Sequence, residues 1–223
     1  MRNFIFVIGV VVGLYAVYDK RNPGSTAAIA EIVKDLAPSD RDFEWPPVVG
    51  KKFPDPEFID QDGNTLRLSD LRGKLLLIEP VGIPCPGCQA FVDSKSRGGF
   101  AGVTPQANLP SIEHSAKVYG DFDLNDERIV HVQLLLFGMD LQAPTGADAK
   151  AWARHYDQKT VRQQYVLAGN DMLQDSLTRS FIPGFWLVDE NFTLLSDSTG
   201  HSPLDDLYRV LLPSAGRLLN KAR

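Results

Sequence analysis

The pattern of apolar and polar positions divides the chain into three parts. Residues 4–18, FIFVIGVVVGLYAVY, form an uncharged apolar run, preceded by Arg2 and followed by Asp19, Lys20 and Arg21. From there to about Gly50 the chain is polar and punctuated by proline, and only Ala27 to Leu36 has the spacing of a short amphipathic helix. Beyond Val49, short apolar runs alternate with helical periodicities. Phe58 and Leu66 flank an Asp62-Gly63 turn signal and predict a hairpin. Leu75 to Ile78 and Arg128 to Gly138 read as strands covered on both faces, with helices expected at Ser111 to Tyr119 and Gly146 to Asp157. Gln164 to Gly169 predicts a third strand, and a second hairpin should turn at Glu190-Asn191. A helix then closes the chain, with Pro213 expected to break or kink it. Residues 94–110 contain SRGGFAGVTPQANLP, too rich in Gly and Pro for a regular element, and read as an insertion. A loop of that kind is a candidate for partner recognition, or a plain surface excursion.

Strands alternating with helices indicate an α/β domain over residues 49–223, with a partly parallel sheet and an antiparallel edge. The apolar run at 4–18 is shorter than the roughly 20 residues that cross a bilayer unaided. It matches the apolar region of a signal sequence. With no A-x-A-like site after it, residues 1–21 are expected to act as an uncleaved signal anchor and 22–48 as a stalk; the alternative is a buried core helix. Lys20 and Arg21 outnumber Arg2, so the positive-inside rule by itself would keep the domain cytoplasmic and leaves topology open.

Composition narrows the function classes. A formal net charge of −5 without a basic stripe argues against a nucleic-acid partner. Two cysteines, Cys85 and Cys88, cannot build a disulfide framework, and 223 residues do not need one. They are redox partners, metal ligands or buried small residues. The first reading has a physical logic. Thiolate is the reactive form, and a helix N-terminus directly after a buried strand stabilises it at Cys85. Cys88 follows about one turn later, in reach of a mixed disulfide. Pro86 suits a first helical turn, where its missing N–H costs nothing. A closed zinc site needs four N or S ligands, and His114, His131, His155 and His201 show no ligand spacing with the cysteines. No cofactor or metal is expected; His131, inside an apolar strand, reads as a satisfied core histidine and the others as surface residues.

The stretch VGKKFPDPEFIDQDGNTLRLSDLRGKLLLIEPVGIPCPGC resembles the opening of the membrane-anchored thioredoxin-like proteins of the TlpA and redoxin type. The match is strong from Val49 to Cys88 and loose afterwards. The resemblance implies a thioredoxin-like fold and a thiol-disulfide oxidoreductase acting on cysteines of partner proteins, tethered by the N-terminal helix with its domain in the periplasm. It also implies a cis-proline at Pro183 facing the cysteines and a buried, proton-relaying acid at Glu79. From the residues alone, Pro183 also reads as an ordinary trans strand-start proline, its cis form resting on the resemblance, and Glu79 is equally a solvent-facing strand end. The chain departs from the family pattern at Ile83-Pro84, where an aromatic residue usually precedes the first cysteine, and at Pro86-Gly87 between the cysteines. Two other readings share the fold. A peroxiredoxin-like peroxidase usually has Thr or Ser where this chain has Gly82. A copper protein of the SCO type spaces its cysteines by three and adds a later His, for which His201 is the candidate.

Overall fold

The computed structural model describes residues 42–175 and 177–221. The apolar run and most of the expected stalk lie outside these residues. Among the described residues no helix is long and apolar enough to cross a membrane.

Two central strands organise the molecule. β3 (Leu75–Gly82) and β4 (Ile129–Phe137) pair in parallel and are buried at every position, which accounts for their uninterrupted apolar character. β5 (Gln164–Ala168) continues the parallel pairing beside β4. The hairpin β1 (Glu57–Asp60) and β2 (Thr65–Arg67) joins antiparallel to β5, and β6 (Trp186–Val188) with β7 (Leu194–Asp197) joins antiparallel to β3. The full order is β2-β1-β5-β4-β3-β6-β7, antiparallel at both edges rather than one.

Alternation along β3 sends its residues to two different cores. Leu76 and Ile78 pack with Val130, Val132 and Trp186 on one face. Leu75 and Leu77 meet Phe91, Phe185, Leu211 and Ala215 on the other, where Val81 meets Cys88, Leu135 and Trp152. Glu79 therefore belongs to the same face as Cys88. Phe43 and Trp45, which the sequence placed in the stalk, pack against the first core. The Trp45 indole lies edge-on to Trp186 at 5.9 Å and donates to Thr178 Oγ1 at 3.1 Å.

Four elements differ from the sequence reading. β3 does not stop at Ile78 but runs through Glu79-Pro80 to Gly82. Its pairing with β6 ends at Ile78, so a proline beyond that point removes no ladder donor from that side. The helix after the cysteines is short, α1 (Pro86–Phe91), and a second turn, α2 (Ser94–Arg97), opens the insertion. After α3 (Ile112–Ser115) a wide turn follows at Ala116–Gly120, and α4 (Gly146–Tyr156) is held by a Thr145–Asp148 capping box. The C-terminal helix begins at a wide turn, Leu207–Leu211, and continues as α5 (Leu212–Lys221) with Pro213 inside it. Pro213 causes no break because it falls where the wide turn hands over to the α-helix, a junction that leaves a backbone donor spare.

Trp186 is fully buried, with Trp45, Phe53 and Phe181 all within 6 Å of its ring centre. Trp186→Ala should cost about 3–5 kcal/mol, read as a fall in the urea midpoint with an unchanged slope.

Candidate active site

Cys85 caps the N-terminus of α1, and its sulfur accepts the backbone N–H of Cys88 at 3.2 Å. Cys85 is partly exposed while Cys88 is fully buried, and both are free thiols. This asymmetry separates their chemistry. The neighbouring Cys88 side chain is the main reason the Cys85 pKa falls to about 7; burial opposes, and the backbone N–H groups of Cys88 and Gly87 assist. The Cys88 thiol itself lies 3.9 Å from Pro80 O, to which it donates. Cys88 moves the other way. Burial first, then the neighbouring Cys85 side chain and the charges of Cys85 and Glu79, hold it well above the usual thiol range. The outer sulfur is thus the one that ionises first, and thiolate is the form in which a cysteine is reactive.

Glu79 resolves to the buried alternative, with no exposed surface. Register places it beside Gln133 on β4, whose Nε2 donates to Glu79 Oε2 at 3.3 Å. The orientation of that amide is fixed by Trp152, whose indole can only donate and reaches Gln133 Oε1 at 3.0 Å. Glu79 Oε1 has no partner among the described residues. Burial dominates and pushes the carboxyl well above its ordinary value; the Gln133 hydrogen bond opposes, and the negative charge of Cys85 adds to the rise.

His131 is the corrected member of this group. It is a core residue, as expected, but it is not satisfied: its Nε2 has no hydrogen-bond partner among the described residues and lies 3.9 Å from Glu79 Oε2. Burial lowers its pKa to about 4. His114 and His201 are exposed, and the half-buried His155 contacts Gly98 O at 3.2 Å across the insertion.

A groove of about 430 Å³ opens at Cys85. Pro183, whose peptide bond to Ile182 is cis, forms one wall with Phe137 and Ile182, while Arg179 and His201 supply polar rims. A Cβ on Gly87 would come to 3.0 Å from the Pro183 ring, so at position 87 any residue larger than glycine must push that wall by a few tenths of an ångström. The structure thus brings Cys85, Cys88 and Pro183 to one site, with Glu79 beneath the cysteine pair.

The insertion is tied to this site, which the sequence left open. Gln106 N–H donates to Pro86 O at 2.9 Å, and its side chain lines the groove. Sequence reasoning missed the anchor, Gln89. This buried amide donates to Ile83 O at 2.8 Å and Phe100 O at 3.2 Å, and accepts from Phe100 N and Tyr156 Oη. A glutamine on the buried side of a helix directly after Cys88 was the available signal. Among the described residues, no three His, Cys, Asp or Glu side chains come together as a metal site.

No family model and no curated protein matches the chain. Solved structures do. A protein provisionally described as an electron transfer protein from Aquifex aeolicus VF5 superposes with a TM-score of 0.50 at 16% identity, over 77% of this chain and 97% of that one. A SCO1/SenC family lipoprotein from Bacillus anthracis str. Ames gives 0.49 at 16% identity, over 79% and 99%. A provisionally described protein disulfide isomerase from Bacteroides thetaiotaomicron gives 0.47 at 16% identity, over 79% and 90%. At such identity the likeness is one of fold. The fold is thioredoxin-like, with a mixed sheet, a cysteine pair at the end of a central strand, and a cis-proline opposite it.

Two outcomes follow from the site's electrostatics. Alkylation of Cys85 should rise with pH through a midpoint of about 7 and then level off as the thiolate fraction saturates; Cys88→Ala removes the main cause of the lowering and should move the midpoint upward, measured by iodoacetamide kinetics or thiolate absorbance. Glu79 holds its proton more tightly folded than unfolded, so its contribution favours the folded state at acid pH and is lost as pH rises from the ordinary carboxyl range towards the raised folded value. Urea unfolding at pH 4 and pH 8 should therefore show Glu79→Gln gaining stability relative to the parent at pH 8, and little at pH 4.

Proposed function

We propose that the protein is a thiol-disulfide oxidoreductase that exchanges disulfides with cysteines of partner proteins. The observation that supports this most is the division of labour between the two sulfurs: an accessible one with a pKa near 7, paired with a buried one held far higher. In the reducing direction, the Cys85 thiolate attacks a partner disulfide. A Cys85–partner bond forms and the partner's other sulfur leaves as thiolate. Cys88 then loses its proton and attacks Cys85, forming the Cys85–Cys88 disulfide and releasing the partner's second sulfur. The partner gains two electrons and the cysteine pair loses them; the reverse sequence oxidises a partner.

The charges are arranged to order these steps. Before attack, the Cys85 thiolate raises both Cys88 and Glu79. Once Cys85 is tied into the mixed disulfide, that charge is gone, and both groups ionise more easily at the moment Cys88 is needed. Glu79 is the acceptor for its proton, a general-base role suited to a buried carboxyl whose proton affinity is raised by desolvation. Pro183 and Gln106 form the groove walls against which the partner's chain lies. The uncharged run at 4–18 supports a membrane tether, and the resemblance of residues 49–88 supports a periplasmic position for the domain.

The test is capture. Cys88→Ser in the full chain leaves the first step intact and blocks the second, so mixed disulfides through Cys85 should accumulate in cells and run as reductant-sensitive bands. Cys85→Ser should show none. Equal adducts with Cys85→Ser, or no adducts with Cys88→Ser, would contradict the assignment.

A further inference from the structure

Glu79 is sealed. It has no exposed surface, and a partner lying in the groove would cover Cys85, the partly exposed member of the cysteine pair. A carboxyl that takes the Cys88 proton during resolution must pass that proton on while the groove is occupied, because resolution happens only in the mixed disulfide.

A second opening exists on the other side of α1. A pocket of about 90 Å³ lies beyond the C-terminal end of that helix, bounded by Phe91 and Val92 from α1 and by Tyr156 and Asp157 from the end of α4. His131 forms part of its wall. The same imidazole stands 3.9 Å from Glu79 Oε2 through its Nε2. Two polar atoms of this pair of side chains, His131 Nε2 and Glu79 Oε1, are buried without hydrogen-bond partners among the described residues. Unpaired polar atoms are costly in a core, and two of them on adjacent residues of one face ask for a common explanation. The side chains need close by only about 1 Å to reach hydrogen-bonding distance.

Resting on the oxidoreductase reading above, we infer that His131 is a proton-relay residue that connects Glu79 to the pocket beyond α1, keeping a proton path open when a partner protein covers Cys85. In the step, Cys88 S–H gives its proton to the Glu79 carboxylate; the carboxyl gives it to His131 Nε2; and the other ring nitrogen releases a proton to pocket water. The net change is one proton moved from Cys88 to pocket water; Glu79 ends the step as the carboxylate that received the proton, and the imidazole ends neutral with its N–H transferred to Nε2. The sheet side presents one titratable group to the imidazole, Glu79, while β5 contributes the neutral Gln164 paired with it in register. The pocket side presents Asp93, Arg97, Glu113, Tyr156, Asp157 and Arg162. Arg97 and Arg162 are bridged to Asp157 at 3.3 Å and 2.8 Å, so the mouth carries compensated charge around the relay. Burial lowers the pKa of His131 to about 4, so the imidazole is neutral at rest, with one ring nitrogen free to accept, and holds an extra proton only transiently.

The test is a stopped-flow reaction of the reduced full chain with 5,5′-dithiobis(2-nitrobenzoate). The first thionitrobenzoate released reports attack by Cys85 and the second reports resolution by Cys88. In His131→Gln the first phase should stay within about twofold of the parent, and the second should slow about tenfold or more below pH 7. The deficit should shrink as pH rises, when hydroxide can serve Cys88 directly. Added imidazole should restore the second phase in His131→Ala, a recovery that a purely structural histidine does not predict. An unchanged second phase and pH profile in His131→Gln overturns the relay. Should that variant not fold, the ring ¹⁵N shifts of His131 in the parent decide the matter: a shift on forming the Cys85 mixed disulfide in Cys88→Ser supports the relay, and constancy overturns it. A parent that releases only one equivalent contradicts the oxidoreductase reading itself, so the two failures are distinct.

Discussion

Strands β3 and β4 have no solvent-facing side, and the rest of the site depends on that constraint. A strand covered on one face could carry Glu79, Gln133 and His131 outward and leave their chemistry ordinary. With both faces covered, these side chains must share the inner space with Cys88, Val81 and Trp152. Burial is accordingly the largest influence on Glu79, Cys88 and His131, favouring the neutral form of each. The outer cysteine escapes this rule because it sits at the end of the strand, half in solvent, with an N–H pointed at its sulfur and the Cys88 side chain beside it. A reactive thiolate above neutral, dry groups is what the sheet geometry produces here.

The same constraint makes the polar contacts few and specific. Trp152 fixes Gln133, Gln133 fixes Glu79, and Gln89 holds the loop before Cys85 to the insertion. Each is a buried amide with its orientation set by a donor-only or acceptor-only neighbour. Such a chain positions the reacting groups without adding charge near the thiolate. The insertion, by this account, is part of the site: Phe100 is anchored to Gln89, and Gln106 reaches the first turn of α1.

Much of this was legible in the sequence, and the limits were physical. The apolar runs at 75–78 and 129–137 announced buried strands because continuous hydrophobicity is what two covered faces require. The pair Cys85 and Cys88 announced its own spacing. Beyond Ile78, Glu-Pro looked like a strand end, since neither residue favours a central strand; only the short length of β6 shows why the proline is tolerated. The role of Gln89 was hidden because its partners, Phe100 and Tyr156, come from other elements. His131 was hidden for the same reason: an isolated histidine in an apolar strand gives no sign of what lies across the sheet, and only parallel register sets it opposite Leu77, diagonally across from Glu79 on the same face. Local patterns specify elements, while the register between strands specifies the site.

The central claim is that Cys85 and Cys88 form a reversible redox couple. The most direct measurement is an equilibrium titration of the full chain in glutathione buffers of graded poise, with free thiols alkylated and counted by mass. The account predicts one two-electron transition between a form with two alkylated cysteines and a form with none, with a tenfold change in the ratio for about 30 mV. A chain that keeps both thiols at every poise, or that passes through a stable singly modified form, would contradict it.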